Sequence, residues 1–219
     1  MRLVYHVMSA PAPLGLLFLA SGPNGLRYLE FMDRRSLKRT IGGHEHLEPD
    51  AAWEASLLDL KPVVDQLESY FSGTLKRFTV ALDPDGTPFQ HAVWGSLLDI
   101  PFGQTRSYGE VARSIRQPRA ARAVGLANNQ NPIAIIVPCH RVVGAGGALV
   151  GYGGGIHRKK WLLQHEERFV RLDAAEQMSR APSPAAVRTA APRSAARARP
   201  AAAQRATSSS RITGRKSTR

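Results

Sequence analysis

Cys139 is the only cysteine among 219 residues. It stands in the run Pro138-Cys139-His140-Arg141, so a thiol and an imidazole, the parts of a cysteine nucleophile and its base, are neighbours in the chain. A free thiol is only a few per cent ionised at neutral pH, and a thousandfold gain in acidity requires roughly 4 kcal/mol of differential stabilisation. In an extended chain successive side chains point to opposite faces, so His140 reaches the sulfur only through a bend or an intervening water. A third group comes from far along the chain. Projecting residues 159–172 at about 100° per residue puts Leu162, Leu163, Phe169 and Val170 on one side, Lys160, Gln164, Glu167 and Arg171 largely opposite, and Glu166 inside the apolar stripe. A carboxylate there needs a partner. Two partners fit equally: an imidazole such as His140, which it would orient, or an arginine in a structural ion pair.

These residues have to be positioned by surrounding elements. Residues 133–137 are a short β-branched run, which predicts a buried extended segment delivering Cys139 at its end. Further back, Thr87-Pro88-Phe89-Gln90 is a capping box with proline at the first helical position and predicts a helix over 88–98. Ser107-Tyr108-Gly109-Glu110 is a second box, opening a short helix to about residue 115, and Pro118 starts another to about 128. Two short helices around a tight turn suggest a helix-turn-helix. Before them the chain reads as a mixed unit, with strands near 2–8, 14–20 and 26–31, a helix over 49–71 and a further strand over 78–82, and with Asp83-Pro84-Asp85-Gly86 as the boundary. The fold class is therefore α/β: an α+β N-terminal unit with a small sheet (1–85), then a mainly helical domain containing a helix-turn-helix (86–172). Residues 173–219 form a basic Ala/Arg/Pro-rich tail without apolar periodicity, expected to be disordered.

The formal charge of +13 is uneven. Residues 173–219 hold ten Arg or Lys against Asp173 and Glu176, which leaves about +5 for the body. A basic balance suits nucleic acid, an anionic membrane surface or plain solubility. A single cysteine excludes a disulfide framework and a Cys-rich zinc site. The apolar run at 14–20 faintly resembles a secretory signal, but Pro11, Pro13 and Gly15 break it, and Gly22-Pro23-Asn24-Gly25 marks a hairpin. No stretch approaches the roughly 20 apolar residues of a membrane span. The expectation is a monomeric cytoplasmic protein.

Pro138-Cys139-His140-Arg141-Val142-Val143, preceded by Asn131-Pro132, resembles the active-site signature of the O6-alkylguanine-DNA alkyltransferases. Residues 100–112 (IPFGQTRSYGEVA), 118–127 (PRAARAVGLA), 151–155 (GYGGG) and 161–166 (WLLQHE) match the same family in its order, covering about 86–170. The N-terminal unit resembles it only loosely.

The resemblance implies that Cys139 takes an alkyl group from O6 of guanine in double-stranded DNA, with His140 as base through a water and Glu166 orienting it. It implies that Asn131 holds the active-site turn and that Tyr108 donates a hydrogen bond to the extruded base. It implies that Arg122 fills the gap in the base stack from a helix whose Ala121, Ala123 and Gly125 allow close approach to DNA, with Arg141 in the DNA-binding set. Val142, Tyr152, Gly153 and Gly154 would line the base pocket, partly through backbone groups. Many relatives carry serine where this chain has Gly153, which bears on tolerance of bulky alkyl groups. No metal or organic cofactor is implied. A thioether product has no carbonyl for water to attack, so the protein would act once. Two rivals remain: a cysteine hydrolase, which turns over, and a non-catalytic lesion binder, whose relatives replace the cysteine.

Overall fold

Three strands alternate along the start of the chain as expected: β1 (Arg2–Ala10), β2 (Gly15–Gly22) and β3 (Gly25–Met32) form an antiparallel meander. The computed structural model describes residues 1–32 and 37–180, so most of the tail expected after 173 lies outside the described residues. Two elements depart from the expected helix over 49–71. Helix α1 (Leu37–Leu47) precedes it, with Gly42 and Gly43 masking its helical signal. Next, β4 (Ala52–Ala55) joins β1 in parallel, Arg2 opposite Ala52 and Tyr5 opposite Ala55, and completes a sheet ordered β3-β2-β1-β4. The free main-chain groups along β1 account for the departure, because they bond a segment whose local preference is weak. Helix α2 (Leu57–Phe71) starts only after Ser56, whose hydroxyl accepts from Asp59 N.

The sheet is covered on both faces, which is why β2 reads as an unbroken apolar run. Leu17, Leu19 and Leu29 share one core with Leu60, Val63, Val64 and Leu67 of α2, continuous with the helical part. On the opposite face Phe18, Ala20 and Met32 pack with Tyr5, Tyr28 and Trp53, and His44 of α1 stacks on Phe18 with ring centroids 5.2 Å apart. Residues 78–82 do not form the expected strand. Only Leu82 bridges to Leu26, because Leu26 N and O are met by Ala81 O and Asp83 N at 2.9 and 2.8 Å.

Both capping boxes close as expected, Thr87 with Gln90 at α3 (Pro88–Leu98) and Ser107 with Glu110 at α4 (Tyr108–Ser114). Helix α5 (Ala121–Asn129) begins three residues later than expected, after a turn, and packs on α3 and α4. A two-residue parallel pair, β5 (Arg106–Ser107) with β6 (Val142–Val143), ties the start of α4 to the segment after Cys139. The final helix, α6 (Ile156–Arg180), is longer than expected at both ends. Ala174, Ala175, Glu176 and Gln177 are strong helix formers, and Lys76 pairs with Asp173, so 173–180 belong to the helix. Met1–Ser179 form one compact unit. Among the described residues no helix is long and apolar enough to cross a membrane.

Candidate active site

The β-branched run before Cys139 is buried, yet it is a tight turn and not an extended segment. Val137 N bonds Ile133 O at 3.0 Å and Ile136 N bonds Ala134 O at 2.8 Å, while Ile135 is held at φ 70°. β-Branching signalled burial here; the turn is imposed from outside. Asn131 accepts from Ile133 N at 3.0 Å and donates to Val137 O at 2.8 Å, bracketing the loop from within. Leu29 of β3 clasps it from the sheet, donating to Pro132 O and accepting from Ala134 N, both at 2.8 Å. A left-handed β-branched residue costs of order 1–3 kcal/mol, and this double bracket holds it.

Cys139–Arg141 then form one 3-10 turn. With three residues per turn, the three side chains fan apart instead of alternating. His140 Nε2 lies 2.8 Å from Glu166 Oε1, both side chains wholly buried. Arg141 donates through Nε and Nη2 to the same carboxylate at 3.0 and 2.9 Å and through Nη1 to Ile100 O at 2.6 Å. Both partners foreseen for Glu166 are thus present together. Arg141 is no surface contact for DNA: at 6% exposure its guanidinium is spent inside the protein. Gly103 N at 2.8 Å and the Tyr70 hydroxyl at 2.9 Å complete the shell of Glu166.

Burial opposes ionisation of Glu166, but the charges and hydrogen bonds of His140 and Arg141 outweigh it and hold the carboxyl far below the usual carboxylate range. Burial also drives His140 below its ordinary value, aided by Arg141 and Lys159 against the pull of Glu166, so the imidazole is neutral at neutral pH. With Nε2 facing a carboxylate, the proton is assigned to Nε2, which leaves Nδ1 as an acceptor. Nδ1 is buried and has no hydrogen-bond partner among the described residues.

The sulfur does not rest as the lowered-pKa thiolate anticipated from sequence. Burial pushes the Cys139 thiol up, and Asn131, the Tyr152 hydroxyl and the Lys159 ammonium only partly offset that. Lys159, itself fully buried, donates to Val142 O at 2.5 Å and Val150 O at 2.9 Å. Among the described residues the Tyr152 hydroxyl makes no regular hydrogen bond, but it is near enough to the sulfur for each to shift the other's titration.

Cys139 opens on a cavity of about 290 Å³ lined also by Asn131, Tyr152, Gly153, Gly154 and Phe31 of β3. A Cβ on Gly153 would lie 3.3 Å from Asn129 O, and one on Gly154 would meet the Phe31 ring at 2.6 Å. Tyr108, half-buried at the start of α4, has its hydroxyl 3.2 Å from both Val150 O and Gly151 O. Val142 is buried, its carbonyl taken by Lys159, while the Cys139 carbonyl meets Asn128 Nδ2 at 3.4 Å. On α5, Val124 and Ala127 face inward while Arg122 and Ala123 are exposed, and Gly125 abuts the Tyr108 ring. Arg113, Arg116 and Arg119 are exposed nearby.

A single buried thiol, a histidine whose Nε2 is fixed by a pinned carboxylate, and two helices bearing the exposed Arg113 and Arg122 define a class of cysteine-dependent enzyme. The comparisons agree. The family model described as "6-O-methylguanine DNA methyltransferase, DNA binding domain" matches residues 88–168. A methylated-DNA–protein-cysteine methyltransferase of Methanosarcina acetivorans is 48% identical over 155 residues, 71% of this chain and 94% of that protein. The protein of that name from Mycobacterium leprae is 47% identical over 75% of this chain and 94% of its own length. The crystal structure of Mycobacterium tuberculosis OGT in complex with DNA superposes with TM-score 0.64 at 45% identity, covering 77% of this chain and 94% of that one. The chain belongs to the methylated-DNA–protein-cysteine methyltransferase family and is an enzyme of that type.

Sequence reasoning missed Tyr70, Gly103, Lys159 and Phe31. Lys159 was legible in principle, since it shares the i, i+3, i+7 stripe of Leu162 and Glu166. The other three reach the site through tertiary contacts that leave no local pattern.

Proposed function

We propose that this chain repairs alkylated DNA by moving the alkyl group of O6-alkylguanine irreversibly onto Cys139. The observation that carries the reading is the buried His140 next to the chain's one thiol, with Nε2 2.8 Å from Glu166 and Nδ1 without a hydrogen-bond partner among the described residues. A water passes the Cys139 proton to Nδ1, and Glu166 stabilises the resulting imidazolium. The sulfur attacks the alkyl carbon, the S–C bond forms as the C–O6 bond breaks, and the electron pair leaves with guanine. Tyr108 hydrogen-bonds the departing base. Displacement at a saturated carbon by a thiolate calls for no metal or organic cofactor.

Stacked guanine cannot present its O6 substituent in line to the sulfur of a residue held 5% exposed, so the base has to be turned out of the duplex into the Tyr152–Gly153–Gly154 cavity. Helices α4 and α5 act as a helix-turn-helix in the minor groove, with Arg122 entering the stack and the small residues Ala121, Ala123 and Gly125 permitting the approach. Residues 86–172 carry this chemistry, residues 1–85 support it, and the protein works as a cytoplasmic monomer. Intact-mass analysis after incubation with an O6-methylguanine duplex tests the transfer: one added methyl per chain, about 14 Da, located on Cys139. Turnover beyond one equivalent points instead to a hydrolase, and binding without modification to a lesion sensor. Cys139→Ala is expected to abolish transfer while retaining lesion binding, measured by gel shift.

A further inference from the structure

Glu166 Oε1 is shared by three groups, the Arg141 guanidinium at 2.9 Å and two neutral partners with opposite consequences for His140. One is the imidazole Nε2 at 2.8 Å; the other is the hydroxyl of Tyr70 at 2.9 Å. Tyr70 lies on α2, far in sequence from every residue of the relay, and is wholly buried. Its main-chain carbonyl is bonded by His165 Nε2 at 3.0 Å, and its ring packs edge-on against Phe102 at 5.9 Å, so the hydroxyl has little freedom to leave the carboxylate.

We infer that Tyr70 is a positioning residue for alkyl transfer, sharing Glu166 Oε1 with His140 and thereby limiting how strongly the carboxylate holds a proton on the imidazole. The inference rests on the relay proposed above. A carboxylate facing His140 without competing donors would stabilise the imidazolium and leave no base at neutral pH. Each further donor on Glu166 spreads its charge and keeps His140 neutral. The titratable and charged groups facing the pair are Arg141 from the same turn, Lys159 and His165 from α6, and Tyr70 from α2. Of these, Tyr70 is a neutral donor on the oxygen that His140 uses, so it alters charge sharing without altering net charge.

The test is the pH dependence of single-turnover transfer from an O6-methylguanine duplex to full-length protein, followed by intact mass. Removing the hydroxyl in Tyr70→Phe raises the affinity of His140 for a proton, so the acid limb of the rate profile is expected to move up by about half to one pH unit. Site-specific 3,5-difluorotyrosine at position 70, a stronger donor, is expected to move it down. Phe71→Leu, which perturbs the neighbouring packing at 5.5 Å ring separation, is expected to leave the limb in place. Profiles for Tyr70→Phe that differ from the wild type only in height, or a limb displaced equally by Phe71→Leu, overturn this inference alone. A wild-type protein that leaves Cys139 unmodified overturns the relay and the inference together.

Discussion

Glu166 gathers His140, Arg141, Tyr70 and the Gly103 amide onto two oxygens at zero exposure. Removing its charge strands a buried guanidinium, so Glu166→Gln is expected to cost about 3–5 kcal/mol, read as a fall in chemical-denaturation midpoint, as well as slowing transfer. The acid sensitivity of the fold follows from the same cluster. His140 sits below its ordinary value of 6.5, so the folded state disfavours its protonated form. Stability is therefore complete above that value and falls as pH drops below it. Glu166 is also lowered, so its contribution is present above the ordinary carboxylate range and is lost as pH falls further. Thermal melts between pH 7 and pH 4 are expected to show a progressive decline; a flat profile would contradict the assignment of a neutral His140. At this scale the amino-acid order is informative where a motif or a periodicity exists. Cys139 and His140 stand out by their pairing and Glu166 by its place in an apolar stripe. Arg141, expected at the DNA, turns inward instead, because the neighbours of Cys139 in a 3-10 turn point three ways.

At the level of elements, capping chemistry is a reliable guide. Thr87 and Ser107 each close a reciprocal box, and Ser107→Ala is expected to cost about 1 kcal/mol and to loosen the start of α4, where Tyr108 sits. A drop in transfer rate larger than the drop in stability would locate that effect at the Tyr108 hydroxyl. Elements set by tertiary demand are not legible in the same way. The 52–55 segment is a strand because β1 has an open edge, and 133–137 is a turn because Asn131 and Leu29 grip it on two sides. Gly73 shows the same dependence on distant packing. It adopts φ +79°, and a Cβ there would lie 2.1 Å from the Phe169 ring of α6. Gly73→Ala is accordingly expected to lower stability by more than about 1 kcal/mol, measured by denaturant unfolding.

For the molecule as a whole, charge distribution and core continuity make different claims. The residues 181–219 carry only cations among their ionisable side chains. Removing them is expected to leave the yield on Cys139 unchanged and to flatten the dependence of DNA affinity on salt, by about one unit of log-log slope for each phosphate no longer neutralised. An unchanged slope would show that the extension does not touch DNA.

The clasp of Leu29 on the loop before Cys139 bears on how far the protein can be trimmed. Two main-chain bonds from a strand in the first part of the chain hold Ile135 in a conformation it would otherwise abandon, and Phe31 two residues along walls the cavity. The smallest piece able to react is therefore longer than the helical part alone. It has to include the opening meander, like a vice that grips only with both jaws fitted.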